Sequence, residues 1–364
     1  MTFDCPIPRL RTFLEHLFHN HYGFTVNQAA NISDALISAD SHGIQSHGVQ
    51  RLAMYDAKLK AGTIIAGHEG RIISQSDATS LIDGELGMGQ VIAHKAMGLS
   101  IETARRYGIG IVAVRNSNHF GTAGHWAHMA LEEGFIGLVS TNSNPLTVPT
   151  FGVCPFGGSN PIAFSAPGDP EDFEFDAATS TVSLGKIEVL RKTGNAIPGQ
   201  WAVDEQGNID ISADHVMRNI TRPERIGGLT PIGGPGEVNG GYKGYGLGLV
   251  IEILTGLLAG GPLSADLKGK AISHTFLTID PARFSDSRMF KFAVSDMQRR
   301  LRSLPSEPGK QILVPGDKER VALRQTQQHG VPIDEVTAHQ IAQIADEAGL
   351  PVPWKDTTAK KTAS

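Results

Sequence analysis

The chain has 364 residues, of which 40% are hydrophobic and 19% are charged, and this composition is typical of globular proteins with a large core. Disordered and fibrous classes are excluded, and at roughly 150 residues per domain the length predicts about two domains. The formal net charge is -5 and Lys and Arg form no extended run, so the sequence does not favour a nucleic-acid partner.

Export and membrane insertion are not expected either. Residues 1–20 are helix-like and lack the apolar core and cleavage site of a signal peptide. The longest apolar stretch, residues 245–261, is interrupted by Glu252 and several glycines, which predicts a buried helix instead of a membrane span. Cys5 and Cys154 follow no disulfide or metal spacing, so we expect a reducing compartment, by default the cytoplasm.

The chain is predicted to begin with two helices. Apolar residues recur at helical spacing from Leu10 to Phe18, and Thr25 followed by Gln28 is a capping box that starts the second helix. That helix should end near Asp40, because Gly43 and Gly48 follow as typical helix-ending residues.

Residues 71–140 alternate between strand and helix patterns. We expect a strand, a turn and a strand over 71–83, a helix over 90–107, a strand over 109–114, a polar loop over 115–119, a helix over 122–133 and a strand over 135–140. Two helices over 317–329 and 335–349 should close the chain. This alternation predicts an α/β fold.

The common nucleotide-binding loops are absent. Neither G-x-G-x-x-G after a strand nor the phosphate loop G-x-x-x-x-G-K-[ST] occurs, and Gly84, Gly87 and Gly89 are best interpreted as a turn that enters a helix. Composition and periodicity alone therefore leave the cofactor undetermined. The Asn-, Pro- and Gly-rich residues 142–160 follow a strand and are expected to form a functional loop.

One short segment combines three chemically useful side chains, Ser46, His47 and Arg51. The imidazole could exchange a proton near neutral pH, the hydroxyl could fix its tautomer, and the guanidinium could hold a carboxylate. If the segment is helical, His47 and Arg51 share a face. Taken alone the segment is a weak signal, and a purely structural histidine is the favoured explanation.

Other polar clusters are weaker signals. Residues 116–121 follow a strand and could bind an anion at a helix N-terminus, although an Asn- and Ser-rich turn is an equal alternative. Residues 141–145 and 157–161 offer hydroxyl and amide groups that turn chemistry also explains. His16, His19 and His21 have metal-like spacing, but no carboxylate pair or cysteine accompanies them, so we expect no metal site.

Taken together, these segments resemble the malate/L-lactate dehydrogenase family, which is distinct from the classical Rossmann dehydrogenases. That family includes ureidoglycolate, sulfolactate and diketogulonate dehydrogenases and piperideine-2-carboxylate reductases. The matching motifs occur in family order across nearly the whole chain, at residues 46–51, 117–121, 141–145, 156–161, 176–180 and 241–247.

The resemblance implies a fold, a cofactor and a set of roles. The fold is a non-Rossmann mixed α/β cofactor-binding domain, about residues 71–316, with a mostly helical domain from residues 1–70 and 317–364, in an intertwined homodimer. The cofactor is NAD or NADP, and the preference stays open. By motif, Ser46 is the relay, His47 the proton donor or acceptor, and Arg51 and Ser159 bind the substrate. The cofactor-binding residues would be His119, Phe120, Gly121, Thr122, Ala123, Ser143, Asp176, Ala177, Ala178 and Lys243.

Several alternatives remain open at this stage. Some family members are described with the histidine matching His119 as the proton acceptor, so His119 is a second catalytic candidate. The substrate is a small 2-oxo or 2-hydroxy acid of the malate, lactate or ureidoglycolate type, or a cyclic 2-imino acid reduced with NADPH. The sequence departs from the family pattern at two positions: His42 precedes the first motif, and Ser159 replaces a threonine. Both changes leave the substrate undetermined and do not bear on the reaction class. For a Ser/His hydrolase, the sequence lacks the G-x-S-x-G elbow that would expose the serine. A non-catalytic binding protein would not need both His47 and Arg51, and both are present.

Overall fold

The computed structural model describes residues 2–354. Its first elements are β1 (Thr2–Cys5), α1 (Ile7–His16), which continues as a π-helical turn over Leu17–His21, and α2 (Val26–Ser41). The predicted capping box is confirmed, because Gln28 N–H donates to Thr25 Oγ1 at 3.3 Å and Thr25 N–H donates to Gln28 Oε1 at 3.0 Å. Helix α2 ends just before Gly43, whose φ of +78° favours glycine.

The predicted strand and helix alternation over residues 71–140 is confirmed to within a few residues. After α3 (Leu52–Lys60) come β2 (Arg71–Gln75), β3 (Thr79–Asp83), α4 (Gly89–Tyr107), β4 (Ile109–Ser117), α5 (Ala123–Glu132) and β5 (Ile136–Thr141). Strand β4 extends into the predicted polar loop, because Arg115 pairs with Asp83 and Ser117 pairs with Ile272.

The remaining elements include both predicted closing helices. They are β6 (Ile162–Ala166), β7 (Phe173–Ala177), α6 (Leu184–Thr193), β8 (Ala202–Val203), α7 (Ala213–Thr221), β9 (Gly228–Leu229), α8 (Gly241–Glu252), β10 (Ile272–Ile279), α9 (Ser287–Arg302), α10 (Asp317–His329), β11 (Val331–Asp334) and α11 (Glu335–Ala348). The sequence analysis did not anticipate α9 or the antiparallel pair β1 and β11, which joins the two ends of the chain.

Seven strands form the main sheet, in the order β2-β3-β4-β10-β5-β6-β7. Only β3 and β4 are parallel, and every other neighbouring pair in this sheet is antiparallel. A classical dinucleotide-binding domain has a mostly parallel sheet. The α/β prediction with a non-Rossmann mixed sheet is therefore confirmed.

Three apolar clusters form the core of the described chain. The first joins the N-terminal helices to β11 and α11, the second packs α4 and α5 against the main sheet, and the third lies under α6 and α7. The predicted domain boundaries stay a prediction, since Met88 and Val91 at the start of α4 also belong to the first cluster. Residues 355–364 lie outside the described residues. Representative buried residues are Leu14, Phe18 and Ile341 in the first cluster, Ile92, Trp126 and Phe276 in the second, and Ile187, Val216 and Leu229 in the third.

The apolar segment predicted as a buried helix is only partly buried. Helix α8 and the π-helical turn after it, Ile253–Leu257, leave Val250, Ile253 and Leu257 about half exposed. Glu252 is buried and accepts hydrogen bonds from Asn160 and from the Ser264 backbone, which explains a charge in an apolar stretch. Among residues 2–354, no helix is long and apolar enough to cross a membrane.

Candidate active site

Ser46 and His47 lie on a loop of two 3₁₀ turns, Gln45–His47 and Val49–Arg51, between α2 and α3. Ser46 Oγ lies 2.9 Å from His47 Nδ1, so one hydrogen bond orients the imidazole and leaves Nε2 available. The two turns do not form one helix, because Gly48 between them is extended with ψ of -143°. Arg51 therefore does not share a helical face with His47; its Nε instead donates back to the Ser46 carbonyl.

A buried carboxyl group at the end of α2 holds this loop in place. Asp40 Oδ2, at the end of α2, accepts the Val49 N–H at 2.9 Å, and burial raises the pKa of Asp40 to about 8. A Cβ atom on Gly48 would lie 2.0 Å from Asp40 Oδ1. Gly48 is therefore required by this close approach and not, as the sequence analysis expected, as a helix-ending residue.

Helix α6 covers the other side of the loop. A Cβ atom on Gly185 would lie 2.6 Å from Ser46 Cβ, so the helix backbone packs directly on the serine. Glu188 Oε2 lies 3.5 Å from Arg51 Nη2, at the long end of an ion pair. Among the described residues the partly buried guanidinium makes this weak pair and one backbone bond, so it retains donors for a ligand carboxylate.

The second histidine loop is held by a fully buried asparagine. Asn118 Nδ2 donates to the carbonyls of Thr63, Leu86 and Gly87 at 3.1–3.2 Å, and Lys58 Nζ donates to Asn118 Oδ1 at 3.3 Å. At the start of α4, a Cβ atom on Gly89 would lie 2.2 Å from the His119 carbonyl oxygen. The glycine turn predicted to enter a helix therefore also fixes the backbone of His119.

His47 and His119 form a stacked histidine pair. Their ring centroids are 5.5 Å apart with an interplanar angle of 23°. Tyr55 Oη lies 2.7 Å from His119 Nδ1, and Gln90 Nε2 donates to the same Oη at 2.8 Å. The sequence analysis missed Tyr55 and Gln90; the available signal was that Tyr55 follows Arg51 by one helical turn.

Both histidines are held in the neutral form in the free protein. Burial, followed by the Arg51 charge, lowers the pKa of His47 from its usual 6.5 to about 4. Burial is also the main cause that puts the pKa of His119 well below its usual value, and His47, Arg51, Lys58 and His274 add to it. The sequence analysis expected His47 to exchange a proton near neutral pH, and burial with the Arg51 charge puts its pKa below that range in the free protein.

A cavity of about 580 Å³, here called the α5 cavity, is lined by residues that neighbour the two histidine loops in sequence, although neither His47 nor His119 is among its described lining residues. Thr122, Gly124 and Asp176 line it, together with Ile44 near Ser46. Asp176 Oδ2 accepts the Gly124 N–H at 2.7 Å, at the N-terminus of α5 where backbone N–H groups favour negative charge. Of the predicted cofactor-binding residues, Thr122 and Asp176 are among the described lining residues of this cavity.

The other predicted cofactor residues fall into different environments. Gly121 and Ala123 flank Thr122 at the start of α5, and Ala177 and Ala178 follow Asp176 at the end of β7. The Phe120 side chain does not line the α5 cavity but is buried and stacks on His274, with ring centroids 4.4 Å apart.

Ser143 and Ser159 meet in a second cluster within the predicted functional loop. Ser159 N–H donates to Ser143 Oγ at 3.0 Å, and the two hydroxyl oxygens are 3.2 Å apart. Lys243 is exposed on α8, with Nζ 5.7 Å from the Tyr242 ring centroid. Within residues 2–354, no described hydrogen bond or ion pair joins Lys243 to the histidine pair, and no group of three or more His, Cys, Asp or Glu is arranged to hold a metal.

The chemistry of the site indicates a class of enzyme. An imidazole beside a guanidinium suits proton exchange on a small carboxylate. Ile44 and Thr122, each three residues along the chain from a histidine of the pair, line the α5 cavity. These features are expected of an NAD(P)-dependent oxidoreductase that acts on a 2-hydroxy acid.

Comparison with known proteins identifies the family. The sequence profile described as malate/L-lactate dehydrogenase matches residues 5–342, and the chain belongs to this family. It is 41% identical to a malate dehydrogenase of Pyrococcus abyssi, covering 90% of each chain, and 35% identical to an L-sulfolactate dehydrogenase of Methanocaldococcus jannaschii, covering 90% of this chain and 93% of that one.

The solved structures agree with the sequence comparison. The crystal structure of malate dehydrogenase from Entamoeba histolytica superposes with a TM-score of 0.94 at 30% identity, covering 97% of this chain and 100% of that one. The chain is thus an NAD(P)-dependent oxidoreductase of small 2-hydroxy acids, as the sequence motifs predicted.

Proposed function

We propose that the protein interconverts the 2-oxo and 2-hydroxy forms of a small carboxylic acid of the malate, lactate or ureidoglycolate type. Arg51 binds the carboxylate, His47 exchanges the proton with the C2 oxygen, and Ser46 orients the imidazole. The observation that carries this assignment is the hydrogen bond of 2.9 Å between Ser46 Oγ and His47 Nδ1 on the loop where Arg51 folds back.

Substrate binding should itself prepare His47 for proton exchange. When bound, the nicotinamide supplies or accepts the hydride at C2. In the direction of reduction the C2 oxygen gains charge, and protonated His47 delivers a proton to it from Nε2. Arg51 lowers the pKa of His47 in the free protein, so a carboxylate on Arg51 should raise that pKa again.

For the cofactor we propose that the α5 cavity holds the dinucleotide and prefers NAD to NADP. The 2′-phosphate of NADP would bring close to two further negative charges at pH 7. Within the described lining, Arg11 is the one Lys or Arg side chain, and it already pairs with Asp34. The carboxylates that line the cavity are Asp34, Glu132, Glu174, Asp176 and Glu319.

Both parts of the proposal can be tested together. Purified protein is titrated with NADH and NADPH by nucleotide fluorescence, and then assayed by absorbance with a panel of 2-oxo acids and cyclic 2-imino acids. We expect micromolar NADH affinity, weaker NADPH affinity and turnover of a 2-oxo acid. Binding of neither nucleotide would refute the function, tighter NADPH binding would refute the preference, and turnover of cyclic imines alone would change the substrate class.

We also propose that the protein is a homodimer. Exposed apolar side chains follow one another along α8 and the turn after it, and a monomer in solution rarely exposes such a stripe. A second copy packed there would bury Tyr242, Leu247, Val250, Ile253, Leu257 and Leu258. Light scattering should give about twice the chain mass of 38.8 kDa, and Ile253→Glu should reduce it; a stable wild-type monomer would contradict the proposal.

A reducing compartment, with the cytoplasm as the simplest choice, is part of the same proposal. Cys5 is buried and Cys154 is exposed, and both are free thiols. An unpaired, exposed cysteine is common in reducing compartments and uncommon outside them.

A further inference from the structure

The His119 side chain ends a buried chain of hydrogen bonds that the proposed function does not use. Gln90 Nε2 donates to Tyr55 Oη at 2.8 Å, and Tyr55 Oη lies 2.7 Å from His119 Nδ1. Tyr55 and Gln90 are both 0% exposed. Because water does not reach these two side chains, their hydrogen bonds decide which nitrogen of His119 carries the proton.

The donors and acceptors in this chain of hydrogen bonds can be arranged in two directions. In the first, the Gln90 amide donates to Tyr55 and the Tyr55 hydroxyl donates to an unprotonated His119 Nδ1. In the second, the Gln90 amide is turned over, His119 Nδ1–H donates to Tyr55, and the hydroxyl donates to the Gln90 carbonyl. The first direction puts the histidine proton on Nε2, and the second puts it on Nδ1.

The backbone of Gly121 favours the first direction. Its N–H points at His119 Nδ1 across 3.4 Å, in a turn where Gly121 has φ of +85°. A backbone N–H can only donate, so it stabilises a lone pair on Nδ1 and opposes an N–H there. Arg51 and Lys58 nearby add positive charge that disfavours protonation of both nitrogens.

The other ring nitrogen is available to a ligand. Within residues 2–354, no described group hydrogen-bonds His119 Nε2, and His119 as a whole residue is half-buried. A neutral imidazole N–H aimed at a carbonyl oxygen polarises the carbonyl and keeps its own proton.

We propose that Tyr55 is a positioning residue that, with Gln90, holds His119 in the tautomer protonated at Nε2, so that His119 is a neutral hydrogen-bond donor to the C2 oxygen of the substrate. This inference rests on the proposed function, and it assigns proton exchange to His47 alone. It also explains why two histidines are stacked in one site: one moves a proton, and the other stabilises charge on the oxygen.

The direct test is the tautomer of His119 in the unliganded protein. Histidine rings are labelled with ¹⁵N, long-range ¹H–¹⁵N correlations are recorded, and the His119 signals are assigned by their loss in His119→Gln. We expect an unprotonated Nδ1 and a protonated Nε2 from about pH 6 to about pH 9. A proton on Nδ1 would overturn the proposal, and since no substrate or nucleotide is used, this outcome leaves the proposed function untouched.

Tyr55→Phe removes the hydroxyl and keeps the aromatic ring. We expect signals of the Nδ1-protonated tautomer to appear and kcat to fall about 3- to 10-fold, the effect of one hydrogen bond. Tyr22→Phe is the matched control, because it removes a phenol that bonds Asp56 at 2.8 Å away from the histidine pair. A Tyr55→Phe protein with the wild-type tautomer and kcat would also overturn the proposal, and if this variant does not fold, the wild-type spectrum still decides.

Discussion

The loops that carry His47 and His119 are held in different ways. The His47 loop is oriented mainly by its own neighbours Ser46 and Arg51, with Asp40 beneath it. The His119 loop is fixed by Asn118, whose amide bonds backbone groups from two distant segments of the chain. In the first arrangement the imidazole lies on the same short loop as Arg51, whereas in the second the imidazole is hydrogen-bonded to Tyr55 and kept neutral mainly by burial. A site with two histidines therefore need not use them for the same task.

The largest effect that separates the two loops should come from His47→Ala. Loss of a general acid and base typically lowers turnover by about 10²–10⁴-fold, so kcat should fall within this range while NADH still binds. The pH dependence of reduction should disappear as well. His119→Ala should also slow turnover but keep the pH dependence, and the reverse pattern would show that the roles are exchanged.

The role of Arg51 can be measured with Arg51→Lys. Lysine keeps the charge and loses the planar pair of donors, which should cost about 2–4 kcal/mol of transition-state stabilisation, or roughly 30- to 1,000-fold in kcat/KM. NADH affinity should change little. Arg105→Lys is the control on the surface of α4, where Arg105 pairs with Glu102 and Glu133. Near-normal kcat/KM of Arg51→Lys on the best substrate would show that Arg51 does not bind the substrate carboxylate.

Gly48→Ala tests how the His47 loop is supported. The added methyl would lie 2.0 Å from the Asp40 carboxylate, and such overpacking typically lowers the free energy of unfolding by about 1–3 kcal/mol. Gly98→Ala, in α4, should instead stabilise by about 0.5–1 kcal/mol, because among the described residues nothing outside its own helical turn lies within 4 Å of the new Cβ. Thermal unfolding of both variants measures the difference. Equal melting temperatures would show that Asp40 and Gly48 are not tightly packed.

Local signals explain which parts of the fold were predictable. Capping residues and apolar periodicity identify α2, α4, α5, α10 and α11, because these signals depend on neighbours within a few residues. The pairing of β1 with β11 depends on contacts between the chain ends, which no short window contains. Helix α9 carries local signals too, an N-capping Asp286 and an apolar stripe at helical spacing, which the sequence analysis did not use.

The same distinction applies to the site. Ser46, His47 and Arg51 are close in sequence, so their combination was visible as a motif, but their geometry was not, because it depends on Asp40 packing against Gly48. The stacking of His119 on His47 and the bonds from Tyr55 and Gln90 join three distant segments. The family resemblance supplied the roles for the first group; only the fold brings the second group together.

The assignment of proton exchange to His47 is tested most directly by the pH dependence of kcat/KM in both directions, which reports the ionisation of the free enzyme. Reduction needs the imidazolium, and the pKa of His47 in the free protein is lowered to about 4. Its efficiency should therefore fall about tenfold per pH unit between about pH 5 and about pH 8. Oxidation needs the neutral imidazole, so its efficiency should stay level over that range and decline only in more acidic solution. A reduction efficiency that stays level between about pH 5 and about pH 8 would contradict the account.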